Sequence, residues 1–168
     1  MFRNFYADEY YNSTYDIDFA RYYQNGFRAI LFDIDNTLVE HDAPCNEKAA
    51  ELIRNLKEIG FAVCVVSNNN SSRAGSFAKA AGCDYISDAS KPSEKGYIKA
   101  MKKLGASREQ TMMIGDQMFT DIWGAHNAGI YSILVKQIGP DPKMTIRLKR
   151  VGEHIVFPFF RNYLSRKN

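Results

Sequence analysis

The chain has 168 residues, 45% of them hydrophobic and 13% aromatic, with a formal net charge of +3. That length supports one domain with a full hydrophobic core, and it excludes both a stapled miniature and two ordinary domains. Three cysteines, Cys45, Cys64 and Cys83, stand at no metal-ligand spacing, and no apolar run approaches the ~20 residues of a membrane span. The expectation is a reduced, cytoplasmic protein, at most peripheral to a membrane.

Residues 1–27 form an N-terminal flank with ten aromatic residues, too many for a disordered arm, so this flank should pack on the core. The core follows over 28–136. Ala29 to Phe32 is an unbroken apolar run, the pattern of a strand buried on both faces. Residues 47–59 carry a helical stripe, with Asn46 as N-cap and Gly60 as the stop. The pattern repeats: strand 62–66 and helix 72–81 stopped by Gly82, then strand 84–87 and helix 94–104 between Ser93 and Gly105. Ser107 to Gln110 reads as a short capping box before strand 111–114, and helix 119–128 leads to strand 131–135. Five strands alternating with helices predict an α/β fold with a doubly wound parallel sheet. Residues 143–168 hold seven Lys or Arg (Lys143, Arg147, Lys149, Arg150, Arg161, Arg166, Lys167) against Glu153, a net +6 that leaves −3 for the rest. Within them, 145–166 read as a basic amphipathic helix interrupted near Pro158, its apolar side formed by Phe157, Phe159, Phe160, Tyr163 and Leu164. A solvated face and an anion-binding surface both remain open for it.

Polar groups recur where strands end. Asp33 and Asp35 follow the first strand, Ser67 to Asn70 follow the second, Lys91 and Pro92 follow the third, and Gly115, Asp116, Thr120 and Asp121 close the fourth. In an open α/β sheet that carboxyl edge is where sites form. Each piece has a plain alternative: Asp33 and Asp35 as turn residues, Lys91 as a surface lysine, Asp121 as a carboxylate at a helix start.

The four pieces in this order, Asp33-Ile34-Asp35-Asn36-Thr37, Ser67, Lys91 and Gly115-Asp116 through Asp121, resemble the motifs of the haloacid dehalogenase (HAD) superfamily of phosphotransferases. Residues 1–165 are similar to its YqeG-type group of capless phosphatases, itself similar to the mitochondrial phosphatidylglycerophosphate phosphatase. The resemblance implies a Rossmann-like HAD core without a cap, the first strand at its centre. It implies Asp33 as nucleophile, forming an aspartyl-phosphate, and Asp35 as general acid and base. Gathered carboxylates with oxygen-only donors imply Mg²⁺, held by Asp33, Asp116 and the backbone carbonyl of Asp35, with Asp121 holding a metal-bound water or the ligand loop. Ser67 and the Asn68 amide should donate to phosphoryl oxygens, Lys91 should neutralise their charge, and Thr37 should order the loop through its hydroxyl and the backbone. Asn36 stands where glycine is common, a position asparagine tolerates.

The stretches 38–66 and 71–90 leave no room for a lid, so the crevice should be open. That favours a large phosphorylated substrate, such as a lipid head group, whose own surface covers the site. The expected reaction is Mg²⁺-dependent hydrolysis of phosphatidylglycerophosphate to phosphatidylglycerol, with the basic tail against an anionic leaflet. Alternatives are a phosphatase of soluble phosphoesters or phosphoproteins, a receiver-like module without turnover, and a ribosome- or RNA-associated module; the intact catalytic set disfavours nucleic acid as partner.

Overall fold

A computed structural model describes residues 2–141 and 144–167. Six parallel strands form one sheet: β1 (Glu9–Tyr11), β2 (Ala29–Phe32), β3 (Ala62–Val66), β4 (Asp84–Ile86), β5 (Thr111–Gly115) and β6 (Tyr131–Val135), in the order β1-β6-β5-β2-β3-β4. The five expected strands are present with β2 between β5 and β3, and the ends of β2 and β3 lie in register, Phe32 opposite Val65. Asp33, Ser67 and Asp116 therefore emerge side by side from adjacent strands.

The sixth strand is a correction. β1 belongs to the aromatic flank and pairs with β6, Glu9 opposite Ile133. Three residues containing an acid carry no strand periodicity, and the pairing is fixed by tertiary contacts instead. The Tyr131 hydroxyl donates to Glu9 Oε1 at 2.6 Å, and the Ser132 N–H donates to Asp8 Oδ2 at 2.9 Å.

The connecting helices are α1 (Phe19–Gln24), α2 (Glu47–Ile59), α3 (Ser71–Ala81), α4 (Lys95–Leu104), α5 (Trp123–Ala128) and α6 (Met144–Lys167). They cover both faces of the sheet. Ile53, Leu56 and Phe77 pack with Phe32 and Val65 on one face, while Tyr97, Met101 and Ala125 pack with Leu31 and Met113 on the other. Phe19 and Tyr22 of the flank complete the first layer. α2 starts and stops as its sequence dictates: Asn46 Oδ1 accepts from the Ala49 N–H at 2.9 Å, and Gly60 ends it at φ 117°. That left-handed turn favours glycine.

Three local expectations change. Ser107 to Gln110 is a turn with no helix behind it. The predicted helix 119–128 is divided into a wide π-type turn, Met118–Ile122, and α5. Both the Asp121 and Ile122 N–H groups bond the Gln117 carbonyl there. A widened turn of this kind re-aims side chains and is frequent at functional sites. Finally, Pro158 does not interrupt α6, which runs through it. Proline removes one ladder bond, but Val156 and Phe160 on the inner face are buried against Ala7, Met118, Ile122 and the aromatic flank, and that packing holds the helix across the gap.

The faces of α6 also differ from the expectation. Arg150 and Glu153 point inward, whereas Met144, Leu148, Val151, Ile155 and Phe159 are each more than half exposed. Phe159 thus leaves the apolar side predicted for it, while Phe157, Phe160, Tyr163 and Leu164 keep theirs. Lys143 lies outside the described residues.

Candidate active site

A cavity of about 210 Å³ opens at the carboxyl edge, lined by Asp33, Asp35, His41, Ser67, Asn68, Asn69, Lys91, Gln117, Thr120, Ile146 and Lys149. Asp33, Asp35, Ser67, Asn68, Lys91 and Thr120 line this cavity, and Asp116 and Asp121 lie in the layer beneath it, whereas Asn70 faces away to cap α3.

Beneath the cavity Asp33, Asp116 and Asp121, all buried, bring one carboxylate oxygen each within 4.8 Å of the others. Asp33 leaves β2, Asp116 leaves β5, and Asp121 is lifted into place by the wide turn. There its Oδ2 accepts from the Gln117 N–H at 3.0 Å. Gly115 makes room for it, since a Cβ at 115 would lie 2.4 Å from the Asp121 Cβ. The Tyr97 hydroxyl fastens the same turn from below, donating to the carbonyls of Thr120 and Asp121 at 3.1 and 3.2 Å.

Lys91 is buried between two of these carboxylates. Its ammonium donates to Asp33 Oδ1 at 2.5 Å and to Asp121 Oδ1 at 2.7 Å. Burial alone would lower its pKa, but Asp121 and Asp33 outweigh it and hold the ammonium charged. Asp33 goes the other way: burial raises its pKa, and half-shared Lys91 does not cancel the rise. Asp116 is likewise raised by burial, against the opposing charge of Arg150. A buried carboxylate cluster in this state is under-compensated.

Asp35 has a different setting. Its oxygens accept from Asn69 Nδ2 at 2.7 Å, Arg73 Nη2 at 2.8 Å and the Asp42 N–H at 3.0 Å. Burial pushes its pKa up, and Arg73 with the Asp42 N–H brings it net below the ordinary range. The side chain lies outside the oxygen trio and groups instead with His41 and Asp42.

One assignment is corrected and a second is extended. The Thr37 hydroxyl donates to Asp116 Oδ1 at 3.1 Å, not to backbone, so it orders a carboxylate. The Asn68 side chain holds the Lys91 loop, its Oδ1 accepting from the Lys91 N–H at 2.7 Å and its Nδ2 donating to the Lys91 carbonyl at 3.2 Å. Asn36 takes φ 61°, the left-handed turn asparagine tolerates, and its Nδ2 donates to Asp141 Oδ1 at 2.8 Å.

Several residues here escaped the sequence reading. Asn69 and Arg73 sit just before and inside the first turn of α3, and the run of three asparagines was the available hint. Arg150 had none; counted with the basic tail, it turns inward to Asp116, Asp141 and Glu153.

A family model described as haloacid dehalogenase-like hydrolase matches residues 40–129, more than half of the chain. "Probable phosphatase YqeG" of Bacillus subtilis (strain 168) is 32% identical over 150 residues, covering 89% of this chain and 87% of that protein. The glyceraldehyde 3-phosphate phosphatase of Pyrococcus furiosus is 29% identical over 80 residues, 46% of this chain but 33% of its own length. Among solved structures, a protein described as a HAD-hydrolase, YfnB from Bacillus subtilis bound to magnesium, superposes with a TM-score of 0.51 at 17% identity, covering 68% of this chain and 90% of that one. The family match begins beyond Asp33 and Asp35, and the relative similar over nearly its whole length extends the likeness across most of the chain. The chain belongs to the haloacid dehalogenase-like hydrolases.

Proposed function

We propose that this HAD-family phosphatase hydrolyses phosphomonoesters through Asp33, with phosphatidylglycerophosphate as its substrate. The observation that carries the reading is the meeting of Asp33, Asp116, Asp121 and Lys91 beneath a cavity that also exposes Asp35 and Ser67.

Phosphoryl transfer needs a nucleophile, charge neutralisation and a proton carrier for the leaving oxygen. Asp33 attacks phosphorus and the ester oxygen departs with a proton from Asp35, leaving an aspartyl-phosphate. Water then attacks that phosphorus, giving its proton to Asp35 and releasing inorganic phosphate. Ser67 and Lys91 hold the phosphoryl oxygens. The donor set fits a hard dication: the trio is oxygen-only, buried and under-compensated. Asp33, Asp116, Asp121 and the carbonyl of Asp35 would hold Mg²⁺, the ion bound by YfnB, and such an ion neutralises charge on transferring oxygens.

The lipid reading draws on α6. Its exposed stripe of Met144, Leu148, Val151, Ile155 and Phe159 follows helical spacing, and Arg147, Lys149, Arg161 and Arg166 are exposed beside it. The helix begins at the cavity mouth, which Ile146 and Lys149 line. Apolar area flanked by cations is the chemistry that seats a helix on an anionic leaflet, each cation contributing about 1 kcal/mol near the surface.

Phosphate release with Mg²⁺ across lipid, sugar, nucleotide and phosphopeptide substrates tests the reading. The largest kcat/KM is expected for phosphatidylglycerophosphate in vesicles, and Leu148→Glu with Ile155→Glu should cut sedimentation with anionic vesicles. Equal or better turnover of a soluble phosphoester, with no vesicle binding, overturns the lipid substrate.

A further inference from the structure

Arg150 commits all three of its guanidinium nitrogens to the carboxyl edge. Its Nη2 donates to Asp116 Oδ2. Its Nη1 donates to the Asp116 carbonyl at 2.6 Å and to Glu153 Oε2 at 2.9 Å, and its Nε donates to Asp141 Oδ2 at 2.8 Å. The side chain is 12% exposed. Each partner is itself tied into the carboxyl edge. Asp141 takes the Asn36 amide, Asn36 Oδ1 takes the Gly139 N–H at 3.1 Å, and Glu153 Oε1 takes the Phe119 N–H at 3.1 Å. One guanidinium therefore joins the loop after β2, the loop after β5, the segment before α6 and α6 itself.

The backbone is shaped to let it reach. A Cβ at Gly152 would lie 2.7 Å from the Phe119 ring, so any larger residue here would have to push that ring aside or move α6 away. With Thr37 on one oxygen of Asp116 and Arg150 on the other, that carboxylate has a single orientation toward Asp33 and Asp121. We propose that Arg150 is a positioning residue of the catalytic centre, presenting Asp116 to the divalent cation and making α6 a required part of the site. The inference rests on the reading of Asp33, Asp116 and Asp121 as a cation site.

The planar fork is essential to this role. Arginine meets a carboxylate and a carbonyl with one rigid plane while its Nε holds a third partner; lysine keeps the charge but offers one point. Partners that orient metal ligands typically carry 10–100-fold of affinity.

Calorimetric titration of MgCl₂ into the full chain tests this, with wild type, Arg150→Lys, Asp141→Asn and, as a control exposed on α4, Lys102→Gln. Arg150→Lys should weaken Mg²⁺ binding about 10–100-fold. The Mg²⁺ concentration for half-maximal phosphate release should rise by the same factor, while KM for an aryl phosphate at saturating Mg²⁺ stays within about twofold. Asp141→Asn should weaken binding in the same direction by a smaller factor, and Lys102→Gln should leave it unchanged. If Arg150→Lys does not fold, Asp141→Asn decides, and unchanged affinity there overturns the proposal. Wild-type affinity in Arg150→Lys overturns the role of Arg150 and leaves the cation site standing. Absence of Mg²⁺ binding in the wild type itself overturns the cation site, and the proposal with it.

Discussion

Asp33 and Asp35 stand two residues apart on one loop, yet the protein surrounds them in opposite ways. Around Asp33 burial dominates, its lysine is shared with Asp121, and the negative charge of Asp121 repels it, so the carboxylate is held above its ordinary pKa. Around Asp35 burial is outweighed by Arg73 and the Asp42 N–H, so the carboxylate is held below it. One side of the crevice is short of positive charge and the other is satisfied. On the proposed reading, that asymmetry separates two carboxyl groups of identical chemistry into one poised to take a cation and a phosphoryl group and one that exchanges a proton with the leaving oxygen and the water.

Substitution by the uncharged isostere breaks the comparison most strongly. Asp33→Asn should abolish phosphate release, a loss of at least ~10³-fold, because no nucleophile remains. Removing one negative charge from a crowded cluster should leave the melting temperature unchanged or higher. Asp35→Asn should lose ~10²–10⁴-fold, the range for a lost acid–base group. A phosphate assay beside a thermal melt separates the two, and retained turnover in Asp33→Asn would remove it as nucleophile.

Stability offers the next contrast. Lys91→Met leaves Asp33 and Asp121 buried without their shared cation and should cost about 3–5 kcal/mol in urea denaturation. Arg73→Met strips a partly exposed pair, 19% and 12% by side chain, and Asp35 keeps two other donors. It should cost about 1–2 kcal/mol. Equal losses would mean that the two carboxylates are not differently compensated. A divalent ion should act on the first side alone. Mg²⁺ at 100 times its dissociation constant adds about 2.7 kcal/mol, which raises the melting temperature of a chain this size by roughly 5–10 °C. Asp116→Asn should remove that rise.

Most of the sheet was legible because its signals are local. Ala29 to Phe32 is apolar throughout, Asn46 and Gly60 bracket α2, and the polar groups follow strand ends where a parallel sheet gathers them. What was not legible depends on distant partners. β1 is a strand because β6 offers an edge and Tyr131 and Ser132 hold Glu9 and Asp8. Pro158 is tolerated because the flank packs under α6. Arg150 is inside because Gly152 admits the helix and three acids await it, none of which has a sequence period. The same distance explains why the tail's outer face carries an apolar stripe beside its cations although its composition reads as basic.

The smallest expected effect concerns the edge strand, far from the crevice, and extends the contrast between satisfied and unsatisfied carboxylates to a third acid. Burial raises the pKa of Glu9, but hydrogen bonds from Tyr131, Tyr22, Arg21 and Tyr11 outweigh it and bring the value below 4.5. A carboxyl whose folded pKa is depressed contributes stability that is present above its unfolded value and lost as pH falls through the folded one. The wild type should therefore lose part of the β1 anchoring as pH falls from 5 toward 3. Glu9→Gln should be slightly less stable at pH 6 and converge on the wild type in acid. The raised carboxyl groups of the crevice slope the other way, but they are common to both proteins and cancel in the difference. Urea midpoints measured at pH 6 and pH 3 isolate the Glu9 term, and a gap of constant size would show that Glu9 stabilises β1 by packing alone.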